Sequence, residues 1–246
     1  MSQITTITFF RLKGAGNQFW ALGMMQFAHG QLKKVKGQRF YKLMGSGRGA
    51  GFNPWPDWSV YSLLQVWESE DDAMAFFTRS AVMEGYRAKV CELWSLFMRP
   101  IKAYGAWSGG NPFDVGIDHS TATGPIAVIT RATIKWNKLI RFWSYVPRSQ
   151  RPLSHAEGLI YTKGIGEWPL LQMATFSLWE NEEGLHKFAY DSSEHRGAIR
   201  RTRSLNWYGE ELFARFRPYR SVGTWGGGNL ISPFPEVEQK SGFMEG

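Results

Sequence analysis

Between Asp191 and Trp207 the chain reads Asp-Ser-Ser-Glu-His-Arg-Gly-Ala-Ile-Arg-Arg-Thr-Arg-Ser-Leu-Asn-Trp, which gathers the residue types best suited to chemistry. His195 falls in the first turn of an expected helix, with Arg196, Arg200, Arg201 and Arg203 one or two turns further on. A neutral imidazole can give a lone pair to a metal, and guanidinium forks suit carboxylates. An iron porphyrin needs both, one axial nitrogen and cations for two propionates. The same residues would serve equally as a solvated helix start. What decides between the readings is the rest of the chain.

The other candidates are weaker. His155 precedes Ala156-Glu-Gly in a loop and is the second choice for a ligand or an acid/base group. His186 sits beside Leu185 and Phe188, which would take the buried face and leave the imidazole at the surface. His119 falls in a linker. His29 ends the first expected helix, where an imidazolium suits the carbonyl end. Cys91 would make a thiolate ligand only with cations around it, and a small buried hydrophobe is the stronger reading. Arg131 and Thr133 alternate on one strand and share a face. If that face lines a cofactor cavity, Arg131 would donate to oxygen on its distal side and Thr133 would relay a proton. The alternative for Arg131 is a salt bridge across the barrel. Gln172 and Thr175 have opposite parity, so at most one of them faces the same way. The glycines at 45, 47, 49 and 51 lack the Lys-Ser/Thr of a phosphate loop and read as a mobile flap.

A chain of 246 residues suffices for one large domain or two small ones. The chain carries 12 Trp, 17 Phe and 9 Tyr, more flat apolar surface than packing demands. A wide planar ligand or a polyene would use it, and so would a crowded core. The net charge is +8, but the basic residues read as dispersed, apart from Lys33-Lys34-Val35-Lys36 and Arg196 to Arg203. No nucleic-acid-binding pattern is present, and loose attraction to an anionic lipid surface fits the charge better. One cysteine excludes an internal disulfide and suggests a reducing compartment. With no secretory signal and no apolar run long enough to span a bilayer, the expected location is the cytoplasm, at most resting on the inner membrane surface.

The order of elements carries the fold. Ile4 to Leu12 reads as a strand, Phe19 to Leu32 as a helix, Arg39 to Leu43 and Trp58 to Trp67 as strands. Ser69 with Asp72 has the capping-box form and opens a helix running to about Met98, with a break near Ser80. Ile101 to Trp107 is the fourth strand. The series then repeats: strand Pro125 to Lys135, helix Trp136 to Val146, strands Leu159 to Lys163 and Leu170 to Trp179, helix over most of Glu182 to Phe216, strand Tyr219 to Trp225. This is the ferredoxin-like split βαβ pattern, twice. Matched punctuation supports the duplication: Phe19-Trp20 with Phe142-Trp143, Trp67-Glu68 with Trp179-Glu180, Gly105-Ala-Trp107 with Gly223-Thr-Trp225, and Gly109-Gly-Asn111 with Gly227-Gly-Asn229. Each repeat buries one sheet face under its helices, so the other must meet the sister sheet. The expected fold is therefore α+β, tandem ferredoxin-like repeats closing into a barrel of the dimeric α/β type. The divisions are 1–113, a linker over 114–124, 125–230 and a loosely held tail over 231–246.

The second repeat carries the helical insertion with His195, so it should hold any metal. Several stretches resemble one known family, the spheroidene monooxygenases, or acyclic carotenoid 2-ketolases. They are Phe19-Trp-Ala-Leu-Gly23, Lys42-Leu-Met-Gly-Ser-Gly-Arg-Gly-Ala-Gly-Phe52, Ile129-Thr-Arg-Ala-Thr-Ile-Lys135, Gly164-Ile-Gly-Glu167, Thr175-Phe-Ser-Leu-Trp179, His195-Arg-Gly-Ala-Ile-Arg200, and Asn206-Trp207 with Glu210 to Phe216. The resemblance runs to about Trp225, and the chain lacks that family's long Ala/Pro-rich tail. It implies a haem b monooxygenase that oxidises the end of an acyclic carotenoid with O2 and electrons from a small redox protein such as a ferredoxin. It also implies a fold akin to the haem enzymes of the aldoxime-dehydratase type. On this reading His195 binds iron, Arg196, Arg200 and Arg203 pair the propionates, and Arg131 with Thr133 serve the distal side. A haem lyase of the aldoxime-dehydratase type, or a non-catalytic haem or carotenoid carrier, are the alternatives.

Overall fold

Strands with apolar side chains on both faces must be covered on both sides, and this chain does so by closing one sheet on itself and laying helices on its outside. The computed structural model describes residues 3–49, 53–116, 124–150, 156–191 and 207–231. The first half forms β1 (Ile4–Leu12), α1 (Ala15–Phe27), α2 (His29–Leu32), β2 (Gln38–Gly47), β3 (Pro56–Trp67), α3 (Glu70–Arg79), α4 (Ala81–Arg87) and β4 (Val90–Gly105). The second forms β5 (Ile126–Ile134), a 3-10 turn (Trp136–Lys138) leading into α5 (Leu139–Gln150), β6 (Leu159–Trp168), β7 (Gln172–Trp179), α6 (Glu182–Asp191) and β8 (Tyr208–Gly223).

The eight strands make a closed barrel in the order β1-β3-β2-β6-β7-β5-β8-β4. Cut at its two seams, the barrel gives β4-β1-β3-β2 and β8-β5-β7-β6, the ferredoxin-like order in each half. The α+β barrel expected from the repeat is the fold observed. The seams are unequal. β4 and β8 pair antiparallel from Trp94↔Gly223 to Gly105↔Leu212, whereas β2 and β6 share only Gly45↔Gly166 and Ser46↔Ile165.

The barrel is filled, not hollow. Phe9 packs with Trp94, Tyr161, Phe176 and Trp225 at centroid distances of 5.2–5.8 Å. Outside the first half, α1, α3 and α4 cover the sheet; Phe10 stacks on Tyr86 at 4.0 Å and Trp67 meets Phe76. Outside the second half, α5 sets Phe142 against Ile134, Met173 and Trp207, and α6 sets Leu185 against Trp179.

Ser69 caps α3 as expected, its hydroxyl accepting from the Asp72 amide at 3.2 Å. The break at Ser80 is real, and Ser80 then caps α4 through the Val82 amide. The helix expected to reach Met98 stops at Arg87, and Val90 to Met98 is strand. In the second half, Glu182 to Asp191 is helix, but Tyr208 to Phe216, expected as helix, is strand. The reason is tertiary: Trp94, Leu96 and Met98, like Leu212, Ala214 and Phe216, alternate into the barrel core and pair across the long seam. Cys91 therefore lies on β4 and is exposed, not buried. Each long strand ends at a glycine with positive φ, Gly105 (89°) and Gly223 (87°). A Cβ there would stand 2.1 Å from the Glu211 carbonyl oxygen or 2.0 Å from that of Leu93, so no other residue fits.

Candidate functional site

Duplication makes the two outer sheet faces comparable position by position. Ile4↔Trp67 in β1–β3 answers Ile126↔Trp179 in β5–β7, and from these anchors the registers run in step. Phe10 then corresponds to Ala132, Leu63 to Thr175, and Leu43 to Gly164. In the first half the three large side chains are 0–3 % exposed and fill the space under α1 and α4. In the second half the same three places hold a methyl, a hydroxyethyl group and nothing. Thr130, paired with Thr175, is exposed to solvent. Between α5 and α6 the sheet thus carries small residues where the first half carries bulk, with Ala132 and Gly164 buried and Thr175 half-buried. α6 and Trp207, which bracket the segment carrying His195, both lie on this outer side.

Next to this face the short seam opens. Beyond Gly45 and Gly166 the strands β2 and β6 diverge, leaving a groove of about 720 Å³ lined by Leu22, Met25, His29, Tyr41, Trp168 and Gln172 among others. Its second-half wall, the Trp168↔Gln172 rung, ends the same β6–β7 ladder that carries Gly164 and Thr175. At ~3.4 Å per residue the four residues from Gly164 to Trp168 place the groove roughly 14 Å from the small-residue face. His29 Nδ1 lies 3.0 Å from the Tyr41 hydroxyl. The first helix, expected to end at His29, stops at Phe27, and His29 opens α2.

Charge holds this seam where backbone rungs do not. Lys42 on β2 reaches Glu167 on β6, and Lys163 on β6 reaches Asp57 on β3 at 2.8 Å. The two lysines occupy equivalent places in the halves, facing Leu64 and Phe176 across their ladders. Burial alone would push the Asp57 carboxyl up, but Lys163 and the Ser59 hydroxyl and amide outweigh it and hold it below the ordinary carboxylate value. Glu167 also accepts from Trp107 Nε1 at 2.6 Å.

Arg131 belongs to the same network. It is 2 % exposed, points into the barrel mouth and pairs with Glu210, with Glu167 at 3.9 Å and the Trp107 ring at 5.6 Å. Glu210 in turn accepts from the amides of Gly109 (2.8 Å) and Ser108 (3.1 Å), tying the first half's turn to the second half's strands. Burial works to raise the Glu210 carboxyl, and those two amides with Arg131 reverse the effect and lower it. By register Arg131 occupies the place of Phe9 in the first half. A buried cation replaces the central core aromatic.

Arg131 and Thr133 do share a face, but it is the interior face, opposite the small-residue surface of β5. Of the two readings open for Arg131, the salt bridge across the barrel is the one present. His195, Arg196, Arg200 and Arg203 lie outside the described residues, as do His119 and His155. His186 is at the surface, 3.9 Å from Glu182. Among the described residues no group of three or more His, Cys, Asp and Glu side chains is placed to hold a metal ion. Two features escaped the sequence reading, the groove with His29 and Tyr41 and the loss of Phe10, Leu43 and Leu63 in the second half. The second was legible, since a residue-by-residue alignment of the halves shows large aligned with small.

The topology defines the class, a dimeric α/β barrel made from one chain. Among solved structures an aldoxime dehydratase has this architecture, with a TM-score of 0.57 and 11 % identity over 90 % of this chain and 83 % of that one. A second aldoxime dehydratase, in complex with butyraldoxime, matches with a TM-score of 0.57 at 10 % identity, over 88 % of this chain and 79 % of that one. These likenesses describe the fold. No protein-family model matches the chain. The spheroidene monooxygenase of Rhodobacter capsulatus is 34 % identical over 91 % of this chain and 93 % of its own length. That of Cereibacter sphaeroides is 33 % identical over 92 % of this chain and 69 % of its own, and that of Rubrivivax gelatinosus 34 % over 78 % and 73 %. The chain belongs to the spheroidene monooxygenase family, as its motifs indicated.

Proposed function

We propose that this chain is a carotenoid monooxygenase that works with a haem b on the outer face of its second half, oxidising the end of an acyclic carotenoid. Family membership supports the carotenoid monooxygenase. The haem rests on one structural observation, the replacement of Phe10, Leu43 and Leu63 by Ala132, Gly164 and Thr175 on equivalent rungs. A porphyrin is flat and apolar, and it needs a surface without projecting side chains, flanked by an imidazole and cations. His195 would supply the axial nitrogen, and Arg196, Arg200 and Arg203 the partners of the propionates. When bound, the haem supplies O2 activation, with electrons from a small redox protein such as a ferredoxin.

The chain's own residues supply position. Ala132, Gly164 and Thr175 let the ring plane approach the sheet, and the Thr130 and Thr175 hydroxyls give that face hydrogen-bonding groups. The groove between α1 and the β6–β7 end, where Leu22, Met25, Phe40 and Trp168 stand among Arg39, Lys42 and Glu167, takes an elongated chain. Arg131 and Thr133, on the interior side, act as positioning residues. Arg131 fixes Glu210 and Glu167, and through them the Trp107 turn beside Lys42 on the groove wall.

The test is a visible spectrum of the purified chain after haem supply, paired with pigment analysis of a carotenoid-producing host. The expected results are a Soret band, its loss or shift in His195→Ala, and new oxygenated pigment only with the intact chain. Pigment conversion by a chain with no Soret band would overturn the haem; a Soret band without conversion would overturn the substrate.

A further inference from the structure

Along the sequence the whole net charge falls in one stretch, although Arg11, Arg39 and Lys42 within it pair with Glu92, Asp114 and Glu167 from the rest of the chain. The first 56 residues hold eight Lys and Arg and no Asp or Glu, while the remainder holds 21 of each. Counted alone the basic residues are dispersed; counted against the acids they are not. This acid-free stretch builds α1, α2 and β2, and α1 carries an unusual surface. Phe19 is 73 % exposed, Phe27 77 % and Leu22 43 %, three large apolar side chains on a helix whose opposite side buries Ala21 against the sheet. Lys13, just before α1, and Lys33, Lys34 and Lys36, just after α2, are all exposed, and none has a carboxylate partner among the described residues. On the far wall of the adjacent groove Trp168 is 59 % exposed.

We propose that α1 and its flanking lysines form a docking surface for an anionic lipid bilayer. Exposed Phe and Leu on one face of a helix, bracketed by lysines and free of acids, is the composition of a helix that lies in the headgroup region. No helix among the described residues is long and apolar enough to cross a membrane, so the contact is peripheral. Charge selects this occupant. A second copy of the chain would bring the same four unpaired lysines face to face, whereas an anionic leaflet neutralises them and takes the phenylalanine rings among its acyl chains. Leu22 belongs both to this surface and to the groove wall, so the groove opens where the helix would meet the bilayer. That the groove then draws its polyene directly from the lipid rests on the function proposed above; the docking itself does not.

Sedimentation of the full chain with vesicles, without carotenoid, tests the docking alone. Vesicles of phosphatidylglycerol and phosphatidylcholine in equal parts should bind the protein, and pure phosphatidylcholine should bind it at least tenfold more weakly. Each lysine near such a surface contributes roughly fivefold in affinity. Lys33→Glu with Lys34→Glu should therefore cut binding by well over twentyfold, while Lys102→Glu with Lys187→Glu, an equal change of net charge on other elements, should leave most of it. Phe19→Ser with Phe27→Ser should weaken binding about tenfold or more and keep its salt dependence; both rings are exposed, so the fold is retained. Equal losses from the two lysine pairs would overturn the surface, as would a salt-resistant dimer that forms through α1 and disappears in the phenylalanine variant. Because vesicle binding is read without turnover, its failure would leave the enzymatic proposal standing, and loss of activity would leave the docking standing.

Discussion

Replacing Arg131 by Met separates a structural role from a chemical one. The guanidinium is 2 % exposed, while its partners Glu210 and Glu167 retain 23 % and 17 % side-chain exposure. Removing one partner of a buried pair costs about 3–5 kcal/mol, because the other charge is left uncompensated. Here the orphaned carboxylates keep other donors, Glu210 the amides of Ser108 and Gly109, and Glu167 the Lys42 ammonium and the Trp107 indole. They are also partly wet. The expected loss is therefore toward the low end, about 2–3 kcal/mol. For a chain of this length, with an unfolding entropy of ~0.5 kcal/mol per kelvin, that lowers Tm by roughly 5 °C.

The first half supplies the control. Arg11 pairs with Glu92 and lies 4.1 Å from the Trp225 ring, but its side chain is 35 % exposed, so Arg11→Met should cost only about 1 kcal/mol. Adding Glu210→Gln to Arg131→Met should recover part of the loss, since the double variant no longer buries an unpaired charge. Calorimetry on the three variants reads these differences. An Arg131→Met protein that melts with the wild type, yet turns over a hundredfold more slowly, would refute the structural assignment and return Arg131 to the chemistry.

Four further outcomes follow from the same geometry. Ala132→Phe combined with Thr175→Leu restores the first half's bulk on the second half's outer face; it should leave the fold's circular dichroism unchanged and abolish the Soret band. Gly105→Ala and Gly223→Ala each force a Cβ to within about 2 Å of a carbonyl carbon's oxygen across the long seam, and should each cost more than about 3 kcal/mol in urea titrations. Lys163→Met leaves Asp57 without its cation and should loosen the short seam, read as faster amide exchange along β2 and β6 with slower-exchanging amides along β4 and β8 unaffected. The Asp57 carboxyl is lowered in the folded state, so its contribution is complete above the ordinary carboxylate value near ~4 and is lost as pH falls through the folded one; Asp57→Asn should flatten the acid unfolding curve in that window, and an unchanged curve would deny the coupling.

Much of this arrangement could be read from residues alone, and the misses have one cause. Strands β1, β3 and β5 were legible because β-branched and aromatic residues run between clear breakers, and the ferredoxin-like order followed from the matched Trp67/Trp179 and Trp107/Trp225 punctuation. The two longest strands were misassigned over half their length. Glu92-Leu-Trp-Ser-Leu-Phe-Met and Glu211-Leu-Phe-Ala-Arg-Phe have good local helix formers, and only tertiary pairing makes them strands, the first with β1 and the end of β8, the second with β5 and the end of β4. Arg131 was legible as an alternative and not as a decision, because nothing in Thr-Arg-Ala-Thr says which side of a barrel is filled. The charge asymmetry needed no structure at all to count, but it gained meaning only once α1 proved to expose Phe19 and Phe27. The small-residue face is the most telling case. Ala132, Gly164 and Thr175 are ordinary strand residues taken singly. They become a site only against Phe10, Leu43 and Leu63, because duplication supplies within one chain the reference state that a lone sequence otherwise lacks. A half that must seat a planar group has to give up the bulk its sister uses to seat a helix.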